Sequence, residues 1–222
     1  MFAAIAGKYD FMNDLLSLGL HRSWRRKAVS LSGVHRGMSV LDCACGTGDL
    51  SFAFKEAVGP KGTVVGTDFC EPMIVLAEKK AALHHFDVTF RVEDALNLSS
   101  PDESFDVVSV AFGIRNVDDP VACLKELARV VKPGGKVLVL EFGQPMGLFK
   151  LLFRVWSFSL MPFLGAVLAK HREAYEYLPR TAAQFPCREK FLALMQASGV
   201  FSAFFYRQVT FGVAFIYVGT VK

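Results

Sequence analysis

Most of the signatures that name a protein's chemistry outright are missing from this chain. Its five cysteines show no paired C-x-x-C spacing, and Cys43 and Cys45 fall inside one short turn. A zinc site or a disulfide scaffold is therefore not expected, and reduced thiols in a cytoplasmic protein are. No concentrated basic face stands out: 25 Lys and Arg against 21 Asp and Glu leave a net charge of +4, too mild for a nucleic-acid binder. The opening stretch MFAAIAGKYDFMNDLL is interrupted by Asp10 and Asp14 and is not rich in Arg or Ser, so neither a secretory signal nor an organelle presequence is read there. Repeats and low-complexity linkers are lacking. None of Tyr9, Tyr175, Tyr177, Tyr206 or Tyr217 has a lysine four positions on, which removes the Tyr-x-x-x-Lys pair of short-chain reductases.

Apolar residues are what the chain has in plenty. They make up 52% of 222 positions, with 21 Phe, enough for one domain over 1–222 with a large core. Residues 1–32 read as a helical segment carrying Trp24 and the run Arg25-Arg26-Lys27. A regular alternation follows. Short Val-rich strands are predicted at 38–43, 63–68, 87–92, 105–111 and 136–142, with helices at 48–58, 71–83 and 119–131. Apolar strands alternating with helices give a parallel sheet covered on both faces. Lys132-Pro133-Gly134-Gly135 reads as the stop between the third helix and the fifth strand. Strands at 203–209 and 213–220 suggest an antiparallel hairpin at one sheet edge, after a mostly helical insertion at 146–200.

The stretch LDCACGTGDL, residues 41–50, places Gly46 and Gly48 at the carboxyl end of the first strand, where ligands of open parallel sheets sit. No Lys-Ser/Thr follows, so it is not a P-loop. Ser51 stands where a dinucleotide fingerprint needs its third glycine, and Asp49 would repel a pyrophosphate. A cationic ligand without phosphate suits the turn better, and S-adenosylmethionine is such a ligand. Asp42 and Asp49 are expected near its amino group. Asp68, ending the second strand, is expected to accept from both ribose hydroxyls, and Asp94 and the Ala95 N–H to meet the adenine.

The motifs LDCACGTGD, TVVGTDFCEPM, FGIRNVDDP, VKPGGKVLVLEF and YEYLPRTAAQFP, with the opening KYDFMNDLLSLGLHRSWR, resemble the ubiquinone/menaquinone biosynthesis C-methyltransferases from about Tyr9 onward. The resemblance implies the α/β class I methyltransferase fold: a Rossmann-like, seven-stranded, mostly parallel sheet flanked by helices. It implies S-adenosylmethionine as methyl donor and no metal. It also implies a lipid-soluble polyprenylated hydroquinone as acceptor, demethylmenaquinol or, alternatively, the benzoquinol of the ubiquinone branch. A class I methyltransferase for another small molecule is the wider alternative. Donor contacts carried over fall on Thr47, Asp68, Asp94 and Ala95, beside Gly46 and Gly48. Cys45 stands where many relatives have glycine. Ala111 stands where a donor-contacting serine precedes FG, a missing hydrogen bond of about 1 kcal/mol.

Methylating a ring carbon needs electron density pushed onto it, so a base or a charge stabiliser is required near the ring hydroxyl. Arg115, with Asn116 beside it, is the first candidate, as stabiliser or as anchor of a proton-carrying water. An ion pair to Asp118 or Asp119 is its alternative role. His21 is the second candidate, as the base. Tyr9, Tyr175 and Tyr177 are candidates to line the donor and acceptor pockets. The stretch LFKLLFRVWSFSLMPFLGAVLA, residues 148–169, is long enough for a membrane span, but Lys150, Arg154 and Pro162 argue against one. A helical pair is expected instead, forming the acceptor lid. Lys150, Arg154, Lys170, His171 and Arg172 would then face headgroups at the inner face of the membrane, with a homodimer contact as a further use of the stretch.

Overall fold

The computed structural model of the protein describes residues 9–160 and 172–222. Two helices, α1 (Tyr9–Ser17) and α2 (Leu20–Ser32), precede an alternating series: β1 (Ser39–Cys43), α3 (Asp49–Val58), β2 (Thr63–Asp68), α4 (Glu71–His84), β3 (Thr89–Val92), β4 (Phe105–Ala111), α5 (Pro120–Arg129) and β5 (Val131–Phe142). Then come α6 (Gly147–Val155), a π-helical turn (Trp156–Leu160), α7 (Arg172–Gln184), α8 (Glu189–Ser198), β6 (Phe201–Val209) and β7 (Ala214–Val221). The seven strands form one sheet in the order β3-β2-β1-β4-β5-β7-β6. Pairing is parallel from β3 to β5 and antiparallel at β5–β7 and β7–β6.

Both sheet faces are buried. Val137 and Val139 of β5 pack with α5 and α8 through Leu124, Leu127, Phe191 and Met195. The alternate residues Leu138 and Leu140 pack with Ile216, Val218 and, from α2, Trp24 and Ala28. Successive strand side chains point to opposite faces, so a strand covered twice has to be apolar throughout. Trp24 also donates its indole N–H to Thr210 Oγ1 at 2.7 Å, which fixes the N-terminal helices to the sheet rather than leaving them as an appendage.

The largest strand-boundary difference from the sequence reading is in β5. β5 starts at Val131, not at residue 136, and runs through the Pro-Gly-Gly segment. Val131 pairs with Phe105, the register shifts, and Val107 pairs with Lys136. The extra residues form a bulge, a place where a strand tolerates proline. Gly134 has φ +78°, and a Cβ on Gly135 would lie 2.7 Å from the Asp106 carbonyl oxygen. Of the expected features, Pro162, Lys170, His171 and the side chains of Tyr9, Arg172 and Tyr175 lie outside the described residues and side chains.

Candidate active site

The turn after β1 bends back on itself through positive φ at Ala44, Gly46 and Gly48. A Cβ on Gly48 would also lie 2.9 Å from the Phe90 ring. That geometry carries the backbone to the end of β2, where Gly46 N–H donates to Asp68 Oδ2 at 2.9 Å. On its other side Asp68 Oδ1 accepts from Cys70 N–H at 2.8 Å. Burial raises the Asp68 carboxyl pKa, and those two backbone bonds pull it back. Each oxygen keeps a lone pair, so a pinned, half-buried carboxylate is available to accept two hydroxyls. Asp94, at the end of β3, is exposed, and its Oδ1 accepts from Leu96 N–H at 2.9 Å; Ala95 follows it, half-buried. These residues fit an adenosyl group. Phe69 was not anticipated from the sequence: it sits directly after Asp68 and is 79% exposed, a bare ring at the same strand end.

Asp42 and Asp49, expected near the donor's amino group, both have partners within the protein. Asp42 is buried and accepts from Ser51 at 2.6 Å and Ser109 at 2.7 Å. Burial outweighs those bonds and pushes its pKa up to about 6. Asp49 is already neutralised by two cations, Arg25 at 2.7 Å and Lys80. Lys80 also reaches Asp10 of α1 at 2.8 Å, and Asp10 accepts from the Thr47 hydroxyl at 2.6 Å. Thr47 is thus buried, with its hydroxyl donated to Asp10. Five residues from four helices and the glycine turn form one clasp. Sequence reading did not find Lys80, because its partners lie 31, 33 and 70 positions away.

Both expected catalytic groups are engaged elsewhere. His21 Nδ1 lies 2.7 Å from Ser17 Oγ and 3.1 Å from the Asn13 carbonyl, while Nε2 is 3.3 Å from Asp14. The ring therefore joins α1 to α2. Burial pushes its pKa below the ordinary histidine value, and a wired, buried ring is not free to take a proton from a substrate. Arg115 does form an ion pair, but with Glu141 of β5 at 2.7 Å rather than with Asp118 or Asp119. The two side chains are 4% and 1% exposed. Asp119 instead caps α5, accepting from Val121 and Ala122 N–H. Arg115 Nη1 also donates to the Phe112 carbonyl, and the guanidinium lies 5.3 Å over the Phe142 ring. It holds the turn after β4 against the end of β5. Asn116, next in the chain, is exposed, and its Oδ1 accepts from Tyr177 of α7 at 3.1 Å.

Beyond the end of β5 lies a cavity of about 300 Å³, lined by Phe142, Phe153, Ser157, Phe158, Leu178 and Pro179 among others. Its walls come from β5, α6, the π-helical turn and α7. Strands β1, β2, β4 and β5 run parallel, so this cavity lies at the same carboxyl end of the sheet as Asp68 and the glycine turn. β1 and β5 are two strand spacings apart, about 10 Å. Among the described residues no cluster of three or more metal-ligating side chains occurs. No helix of the described residues is long and apolar enough to cross a membrane.

Solved structures share this architecture. A SAM-dependent methyltransferase of Aquifex aeolicus superposes with a TM-score of 0.66 at 20% identity over 89% of each chain. A Thermotoga maritima SAM-dependent methyltransferase gives 0.71 at 22% identity over 100% of this chain and 98% of its own. Among curated sequences, the ubiquinone/menaquinone biosynthesis C-methyltransferase UbiE of Bdellovibrio bacteriovorus is 51% identical, covering 100% of this chain and 94% of its own length. The demethylmenaquinone methyltransferase of Thermus thermophilus is 46% identical over 99% of both chains. A profile of the ubiE/COQ5 methyltransferase family matches residues 1–221. With a family match spanning almost every residue and a relative 51% identical over the whole chain, the chain belongs to the ubiE/COQ5 methyltransferase family.

Proposed function

We propose that the protein methylates a ring carbon of a lipid-soluble hydroquinone, demethylmenaquinol, as a step in menaquinone biosynthesis. The observation that carries this reading is the apolar cavity at the same end of the sheet as the donor carboxylate. S-adenosylmethionine supplies the methyl group. Asp68 grips the ribose, Phe69 offers its face to the adenine, and the glycine turn lets the backbone approach. Carbon attack needs the ring within roughly 3–3.5 Å of the methyl, and the cavity walls provide that positioning while excluding water. Tyr177 occupies the Asn116 amide oxygen and leaves the amide NH2 to donate to a ring oxygen as negative charge grows there. Arg115 acts one step back, by holding the turn that carries Asn116. The test is incubation with labelled donor and demethylmenaquinol or its benzoquinol counterpart. Label is expected in the naphthoquinol ring; label in neither quinol would end this reading.

The cavity mouth also supports a seat on an anionic membrane. Leu151, Val155 and Phe158 are exposed at spacings of four and three residues, which puts them on one side of α6 and its π-helical continuation. Lys150 and Arg154 are exposed beside that ridge, and both line the cavity. Phe211, 72% exposed, packs on Phe149 of α6 with ring centroids 5.2 Å apart. An apolar ridge edged by cations is the pattern of a helix lying in a headgroup layer, and a cavity opening there would receive a lipid substrate without crossing water. Two cations at about 1 kcal/mol each give about 30-fold tighter binding to vesicles containing phosphatidylglycerol than to phosphatidylcholine alone. Co-sedimentation measures it. Equal binding to both vesicles would remove the charge component, and a concentration-dependent dimer that buries Phe158 would assign the ridge to a second copy instead.

A further inference from the structure

We infer that Ser157 is the polar anchor of the acceptor ring: its hydroxyl oxygen accepts a hydrogen bond from one ring hydroxyl of the hydroquinone and so sets how the ring lies in the cavity. This rests on the acceptor reading given above and adds a residue to it. Ser157 belongs to the cavity wall and is buried. Among the described residues its Oγ is one of three buried side-chain polar atoms that have no hydrogen-bond partner. A buried hydroxyl left unpaired is costly, and a serine in a helix ordinarily avoids the cost by bonding back to the carbonyl four residues earlier.

That escape is missing here for a local reason. Ser157 lies in the five-residue π-helical turn that follows α6. A π-turn bonds its backbone five residues apart rather than four, and such turns recur at functional sites. No atom of the described residues hydrogen-bonds to it. Phe142, Phe153, Phe158, Leu178 and Pro179 have no side-chain oxygen or nitrogen, the Gln144 amide nitrogen donates to the Ala183 carbonyl at 2.6 Å, and the lining cations Lys150 and Arg154 are exposed. An oxygen-bearing ring inserted between these walls is the partner that satisfies the hydroxyl.

An anchor of this kind predicts a specific dependence on the ring oxygen. Three proteins are compared: the wild type, Ser157→Ala and Ser157→Thr. Each is assayed with the short-chain hydroquinone and with the two monomethyl ethers of that hydroquinone. Loss of one hydrogen bond is expected to raise the hydroquinone KM of Ser157→Ala about 5–10-fold, with kcat within twofold. Donor Kd by calorimetry is expected to stay unchanged, because Ser157 is not at the glycine turn. One of the ethers should bind wild type and Ser157→Ala equally weakly, since the bond is already broken in both. Ser157→Thr, which keeps a hydroxyl, should recover most of the loss.

An unchanged KM in Ser157→Ala overturns the inference, as does a KM rise of the same size for the hydroquinone and for both ethers, which would report a change of cavity shape alone. If wild-type protein methylates no hydroquinone, the reading of the acceptor itself fails, and that outcome is read from the wild-type arm without the variants.

Discussion

Arg115→Ala is expected to lower stability by about 3–5 kcal/mol, the range for removing one partner of a buried ion pair. The variant would leave Glu141, 1% exposed in the centre of the sheet edge, without its cation. Two smaller contacts go with it: the bond to the Phe112 carbonyl and the guanidinium over Phe142. For a chain of this size the melting midpoint should fall by about 10 °C. The double variant Arg115→Met with Glu141→Leu should recover most of that loss, because a buried pair replaced by apolar side chains of similar volume is often neutral. Thermal melts of the three proteins check this. A normal midpoint in Arg115→Ala with turnover down about 100-fold would instead place Arg115 in contact with the reacting groups.

Asp68→Ala is expected to weaken donor binding by about 10–100-fold, since two hydrogen bonds to a charged acceptor disappear together. The turn is affected as well as the ligand. Gly46 and Cys70 both direct N–H groups at this carboxylate, so alanine leaves two donors unpaired. Asp68→Asn, which retains one acceptor oxygen, should fall between alanine and wild type. Calorimetric titration with S-adenosylmethionine or S-adenosylhomocysteine measures the effect. Equal Kd values for wild type and alanine would mean that the adenosyl group binds elsewhere.

The parts of this fold written in local patterns could be read from the chain. β2 and β4 have the limits that their Val-rich runs predict, and Asp68 ends β2 where a ribose acceptor was expected. The fifth strand was shortened in that reading because Pro133, Gly134 and Gly135 are ordinary loop residues; only their pairing opposite Phe105 and Val107 makes them a bulge. Partnership was the harder problem. Closeness in sequence offers Arg115 only Asp118 and Asp119 as alternative ion-pair partners, whereas its partner Glu141 sits 26 positions on, in the next strand of the sheet. His21 carries no local sign that Ser17, Asn13 and Asp14 surround it. Lys80 reads as an ordinary surface lysine of α4 until the sheet brings the glycine turn beneath it. Periodicity reports which face a residue occupies, but pairing across elements depends on topology.

The position of β7 has a consequence for biosynthesis. It lies between β5 and β6 although it is translated after both, and its first six residues are buried. A polypeptide ending at Val209 therefore has a β6 without its sheet neighbour and a β5 with an open apolar edge. Such an edge is a template for unwanted pairing. Until Ala214–Val221 slides into the gap that edge stays open, and the arrival of the last strand closes the sheet.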